Sequence, residues 1–191
     1  SSDLQMIKDG MSNYEIMEAN PDYLVALDRI DRARQTVKEK QYRETFRPLT
    51  TTYIWGPTGT GKTRSVMEQY SYSEVYRVTD YAHPFDSYAG EEVLLLDEYS
   101  SNFKIRDLLN YLDGYPLTLP ARYSNRVACF TKVYVISNLC LSKQYPNEQY
   151  NSPATFAALL RRIHKVVHYT APGEFAEYET AEYMDNPLLW R

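Results

Sequence analysis

The octapeptide Gly56-Pro57-Thr58-Gly59-Thr60-Gly61-Lys62-Thr63 meets the pattern G-x-x-x-x-G-K-[ST] at every fixed position and directly follows the β-rich run Thr51 to Trp55. Set between a strand and a helix, such a loop narrows the fold to a few α/β arrangements. Its glycines let the backbone curl until successive N–H groups and a helix N-terminus surround phosphate oxygens, a path that Cβ atoms would obstruct. Lys62 is placed to reach the β and γ phosphates of ATP, and the Thr63 hydroxyl to ligate Mg²⁺. Further β-rich runs follow at Val75 to Val78, Val93 to Leu96 and Val133 to Ser137. The last two are nearly continuous apolar stretches, the mark of strands buried on both faces of a parallel sheet. The expectation is an α/β three-layer sandwich around a mainly parallel sheet.

Two strand ends supply the remaining chemistry. Leu94-Leu95-Leu96-Asp97-Glu98 delivers adjacent carboxylates at the C-terminal end of a strand, 35 residues after Lys62, and in open α/β sheets ligands bind at that end. Asp97 is expected to hold the Mg²⁺ shell and Glu98 to polarise an attacking water. Val133-Tyr134-Val135-Ile136-Ser137-Asn138 ends in an amide that could bond the γ-phosphate or position the water, although Ser-Asn after a strand is also ordinary turn chemistry.

Bulk properties bound the rest. With 191 residues, 43% hydrophobic, the chain is long enough for one good core and a small accessory domain. Residues 173–191 carry Glu174, Glu177, Glu179, Glu182 and Asp185 against Arg191 alone, which accounts for the whole net charge of −4; a solvated acidic tail is expected. Between Gly114 and Asn147 there is no acid at all, yet Arg122, Arg126, Lys132 and Lys143 are present. Cys129 and Cys140 fit neither a zinc nor a redox spacing and read as buried apolar residues. No apolar run approaches the ~20 residues of a membrane span, so no membrane partner is expected. The start Ser1-Ser2-Asp3 lacks a methionine and a signal profile, which suggests a piece of a longer intracellular protein.

The first 48 residues read helical. Ser12-Asn13-Tyr14-Glu15 is a capping box, and Asn20-Pro21 sets a cap before a first-turn proline. Leu24, Leu27, Ile30 and Val37 give one apolar stripe. The division expected is 1–48 helical, 49–172 α/β and 173–191 tail. Within the α/β part, Ile105, Leu108, Leu109 and Leu112 have helical spacing behind a start signal at Ser100-Ser101-Asn102, and Ser152-Pro153 opens another helix through Leu160.

The order of these elements resembles the superfamily 3 helicases, and within them the ATPase domain of replication-initiator (Rep) proteins of circular single-stranded DNA viruses and related plasmids. Gly56 to Thr63 is similar to that family's Walker A motif, Leu94 to Glu98 to Walker B, and Ile136-Ser137-Asn138 to motif C. Leu112 to Leu117 resembles the start of its B′ region, and Ala158-Leu159-Leu160-Arg161-Arg162-Ile163 its arginine-finger segment. The resemblance implies an AAA+-like P-loop NTPase preceded by a helical oligomerisation subdomain, assembled as a hexameric ring with ATP between neighbours. An arginine from one subunit would complete the next subunit's site; Arg162 better matches the family's pattern and Arg161 is the alternative. It further implies a hairpin that holds single-stranded DNA within the acid-free segment, where Arg122 and Arg126 flank the polar turn Tyr123-Ser124-Asn125. Arginine would contact phosphate and Tyr123 would stack on a base. The family's usual Asp-Asp is Asp97-Glu98 here.

Rep proteins usually carry a separate nicking domain, but this chain has no His-x-His and no Tyr-x-x-Lys. Nicking is not expected of it, and His83, His164 and His168 read as structural. The activity expected is ATP-driven unwinding in rolling-circle replication, in a bacterial cytoplasm for a plasmid protein or a host nucleus for a viral one. A nucleotide-dependent assembly module, a small-molecule kinase and an RNA track are the alternatives.

Overall fold

The computed structural model describes residues 2–123 and 125–191. Three helices open the chain: α1 (Asp3–Lys8), α2 (Asn13–Ala19) and, after a 3-10 turn over Pro21–Ala26, α3 (Leu27–Arg43). The capping box is present, with Ser12 accepting from the Glu15 amide and Glu15 from that of Ser12. Ile7, Ile16 and Ile30 form a small core of their own, with Leu27 and Val37 beside them. Leu24, expected in the same stripe, is 64% exposed, because Pro21–Ala26 winds as a 3-10 turn and breaks the 3.6-residue period.

The α/β part contains β1 (Thr50–Trp55), α4 (Lys62–Gln69), β2 (Val75–Val78), β3 (Val93–Leu96) and α5 (Ile105–Tyr111). It continues through the two-residue strands β4 (Thr118–Leu119) and β5 (Arg126–Val127), then β6 (Lys132–Ser137), α6 (Pro146–Asn151) and α7 (Pro153–Arg162). A six-stranded sheet runs β2-β3-β6-β1-β7-β8, where β7 is Lys165–Ala171 and β8 is Glu174–Glu179. All its pairings are parallel except β7 with β8. Alternate residues of the strands face two cores. Ile54, Val75, Val93, Leu95 and Ile136 meet Val66 of α4 on one side. Tyr53, Leu94, Leu96, Val133 and Val135 meet α5 and α7 on the other. The arrangement is α/β, with helices on both faces of a mostly parallel sheet, and is compatible with a P-loop-like sandwich.

Two segments depart from expectation. The signal at Ser100-Ser101-Asn102 does not start α5; Ser101 takes a left-handed φ of +51° and donates from both its amide and hydroxyl to Gln144 Oε1, each at 2.8 Å. Residues 173–191 are not a solvated tail. They form β8, α8 (Thr180–Asp185) and a 3-10 turn over Pro187–Trp190. The acids occupy exposed positions while Tyr183 is fully buried, its ring edge-on to Trp55, and the Trp190 indole N–H donates to Tyr183 O at 2.9 Å. The charge run thus masks Tyr178, Tyr183, Met184, Leu189 and Trp190, which pack on the core. Tyr183→Ala should lower the unfolding free energy by about 3 kcal/mol, the usual cost of emptying a buried aromatic site, read from chemical denaturation. Loss below about 0.5 kcal/mol would show that this segment does not pack on the sheet in solution.

Candidate active site

Strand β1 delivers the glycine loop to the C-terminal edge of the sheet. A Cβ on Gly56 would lie 2.2 Å from Tyr169 O on neighbouring β7, and the residue's φ is +144°, so glycine alone fits there. Gly59 and Gly61 also take left-handed angles, and Gly61 caps the start of α4. The loop is closed from within: Thr60 Oγ1 donates to Pro57 O at 2.9 Å, and Lys62 Nζ donates to Gly56 O and Pro57 O at 2.8 and 2.7 Å. Burial holds the Lys62 pKa below the usual lysine value, and the negative charge of Asp97 acts in the opposite direction.

Asp97 lies two residues beyond Leu95, on the α4 side of the sheet, and is 2% exposed. Its two oxygens are 3.0 and 3.2 Å from Thr63 Oγ1, and one accepts from the Glu98 amide at 2.9 Å. Hydroxyl and carboxylate, both hard oxygen donors and already in contact, fit a Mg²⁺ that keeps several waters. Glu98 is exposed at a φ of +51°. This left-handed step turns the chain sharply after the strand, and both carboxylates line one cleft of about 310 Å³ with Lys62 and Thr63.

Asn138 lies two residues beyond Ile136, at the end of β6 between β3 and β1, and lines the same cleft. Its backbone is fixed from beneath. Ser137 Oγ donates to Tyr99 O at 2.6 Å, and Tyr99 N to Ile136 O at 2.7 Å. Gln144, 1% exposed, donates to Tyr53 Oη and Ser137 Oγ at 2.8 and 3.1 Å, while Tyr53 Oη donates to Leu139 O at 2.7 Å. The segments carrying Glu98 and Asn138 are thereby joined through one buried polar network.

Sequence reasoning missed Gln144, and it missed Arg77. Arg77 projects from β2 into the cleft, and its Nη2 and Nε lie 2.7 and 2.8 Å from Asp97 Oδ2. The alternation Val75, Arg77 on the α4 face was the available signal.

The remaining expected site residues lie elsewhere. Arg162 does not line this cleft; it forks onto Asp113 at 2.9 and 3.3 Å and donates to Ala158 O at 2.9 Å. Its neighbour Arg161 is exposed. In the β4–β5 hairpin, Leu119 pairs with Arg126, which puts Arg126 at the base of the turn, half-buried, rather than at its tip. Arg122 is held by Asp86, which accepts its amide at 3.0 Å and its Nε at 2.7 Å. Tyr123 is 84% exposed; Ser124 lies outside the described residues.

The histidines sit outside the cleft. His164 Nδ1 accepts from Thr51 N at 2.9 Å, and His168 stacks on Trp55 with centroids 3.7 Å apart. Among the described residues no three His, Cys, Asp or Glu side chains cluster as a metal site. Both cysteines are buried, and burial pushes the Cys129 thiol up to about 11. No helix among the described residues is long and apolar enough to cross a membrane.

No family model matches the chain. Three curated proteins do resemble it. The Replication-associated protein of Porcine circovirus 1 is 32% identical over 123 residues, 63% of this chain and 38% of the relative. That of Porcine circovirus 2 is 29% identical over 133 residues, 69% of this chain and 41% of the relative. That of Canary circovirus is 27% identical over 116 residues, 61% and 38%. The chain spans about two fifths of the length of these relatives. Its homologues are Replication-associated proteins of circoviruses, alike over roughly two thirds of this sequence.

Proposed function

We propose that this chain is the ATP-hydrolysing motor segment of a Rep-type replication initiator, a superfamily 3 helicase that moves on single-stranded DNA and separates duplex in rolling-circle replication. The contact of Thr63 with Asp97, at the head of a glycine loop that Lys62 closes, is the observation that carries this reading. The likeness to Replication-associated proteins supports the setting.

The loop amides and the α4 N-terminus receive the phosphate chain of ATP. Lys62 leaves the carbonyls of Gly56 and Pro57 for the β and γ oxygens. Thr63 and Asp97 would hold Mg²⁺, which would supply positive charge to the phosphate chain. Glu98 accepts a proton from the attacking water, and Asn138 orients that water or senses the γ-phosphate without adding charge. The exposed position of Glu98 leaves it free to meet water and a neighbouring subunit.

Negative charge in the transition state calls for another cation, and in a hexameric ring an arginine of the adjacent subunit supplies it. Of the two candidates, Arg162 is spoken for by Asp113, and Arg161 is exposed. Exposure favours Arg161 as the residue that crosses, with Arg162 fixing the end of α7. To hold DNA through the hairpin, Arg122 must exchange Asp86 for a DNA phosphate.

Lys62→Ala should reduce ATP turnover at least about 100-fold and abolish strand displacement; unwinding by that variant would overturn the assignment. Arg161→Ala should cut turnover by a factor of about 10³ with nucleotide affinity retained, whereas Arg162→Ala should lower the melting temperature as well. The reverse pattern would return the crossing role to Arg162. For the double variant Arg122→Ala/Arg126→Ala, the salt dependence of single-stranded DNA affinity should flatten by up to two phosphate contacts. An unchanged slope would remove the hairpin from the DNA path.

A further inference from the structure

Asp97 is a nearly buried carboxylate whose charge must be balanced, and the cation that meets it is not the one the glycine loop provides. Lys62 Nζ bonds Gly56 O and Pro57 O. Arg77 instead places two nitrogens on Asp97 Oδ2 at 2.7 and 2.8 Å, its side chain 47% exposed against 3% for that of Asp97. The geometry follows from register: Arg77 pairs with Leu95 across β2 and β3, so both it and Asp97 emerge on the α4 side, over the start of the helix. Leaving such a carboxylate without its partner is strongly unfavourable. Filling the Thr63 position with a divalent cation would satisfy the same oxygens, and Arg77, on a long half-exposed stem, would be released within the cleft that receives the phosphates.

Resting on the reading of this cleft as a nucleotide site, we propose that Arg77 is a nucleotide-contacting residue that shields Asp97 from the incoming phosphates and passes to the phosphate chain once the metal position is taken. Two opposite shifts are expected of Arg77→Gln. Without nucleotide, Mn²⁺ used as a paramagnetic probe should bind about tenfold more tightly, because the carboxylate is no longer shared. In chelator, a fluorescent N-methylanthraniloyl ATP should bind about tenfold more weakly, because Asp97 now repels it, and saturating Mg²⁺ should recover part of the loss. The double variant Arg77→Gln/Asp97→Asn should regain the metal-free nucleotide affinity, and Arg77→Lys should keep much of it.

A merely structural arginine would weaken both ligands together, or neither, and either result overturns the proposal. If wild type binds no nucleotide in chelator, the Mn²⁺ measurement alone decides. Should Arg77→Gln fail to fold, as seen by circular dichroism, the lysine variant and a guanidinium-rescue titration of Mn²⁺ binding replace it, and their failure to shift Mn²⁺ affinity counts against Arg77. Wild-type protein that binds nucleotide in neither chelator nor Mg²⁺ would instead overturn the site reading itself.

Discussion

Nearly everything about the cleft follows from the need to give partners to one carboxylate, Asp97, at the end of a strand where it is 2% exposed. An isolated charge in that position would cost several kcal/mol. Three elements converge to offset the cost: a hydroxyl from the first turn of α4, an amide from the turn after β3, and a guanidinium from β2. Each comes from a different part of the fold, so the sheet order and the cleft are one construction. The Tyr81 hydroxyl, donating to the Asp97 carbonyl at 2.6 Å, extends the bracing into the segment that links β2 to β3.

Beneath the cleft a second polar construction does different work. The Gln144 side chain uses its oxygen for Ser101 and its nitrogen for Tyr53, Tyr99 and Ser137. Tyr99 directly follows Glu98 and Ser137 directly precedes Asn138, while Tyr53 lies on β1 ahead of the glycine loop and Ser101 three residues beyond Glu98. Low local dielectric strengthens such bonds and raises the cost of breaking any one. The relative placement of Glu98 and Asn138 is thus set from inside the protein, while both side chains face solvent.

The central strands were legible because burial on both faces leaves an unbroken apolar string, as Leu94 to Leu96 illustrates with no exposure at all. The glycine loop and the paired acids were legible because their spacing is local. Strands β7 and β8 were not foreseen. Lys165, His168 and Thr170 interrupt the apolar pattern of β7, and β8 carries three exposed acids with only Tyr178 half-buried. The Pro172-Gly173 turn between them, with Gly173 at φ +73°, was the sign overlooked. The contacts of Arg77 with Asp97, of Gln144 with its partners and of Arg162 with Asp113 were illegible for a shared reason. Each depends on which residue of a distant element lies opposite, and register between parallel strands is not written in either strand alone.

The placement of the acidic residues acquires a use once β8 is seen to be an outer strand of the sheet. An outer strand offers unpaired amides and carbonyls to any extended chain that meets it, and many proteins guard such edges with charge. Glu174, Glu177 and Glu179 lie along this one, all exposed, with Lys165 of β7 reaching only Glu177. Another copy approaching edge to edge would bring the same three carboxylates against its own. Like charge along this edge therefore disfavours pairing of two copies through β8.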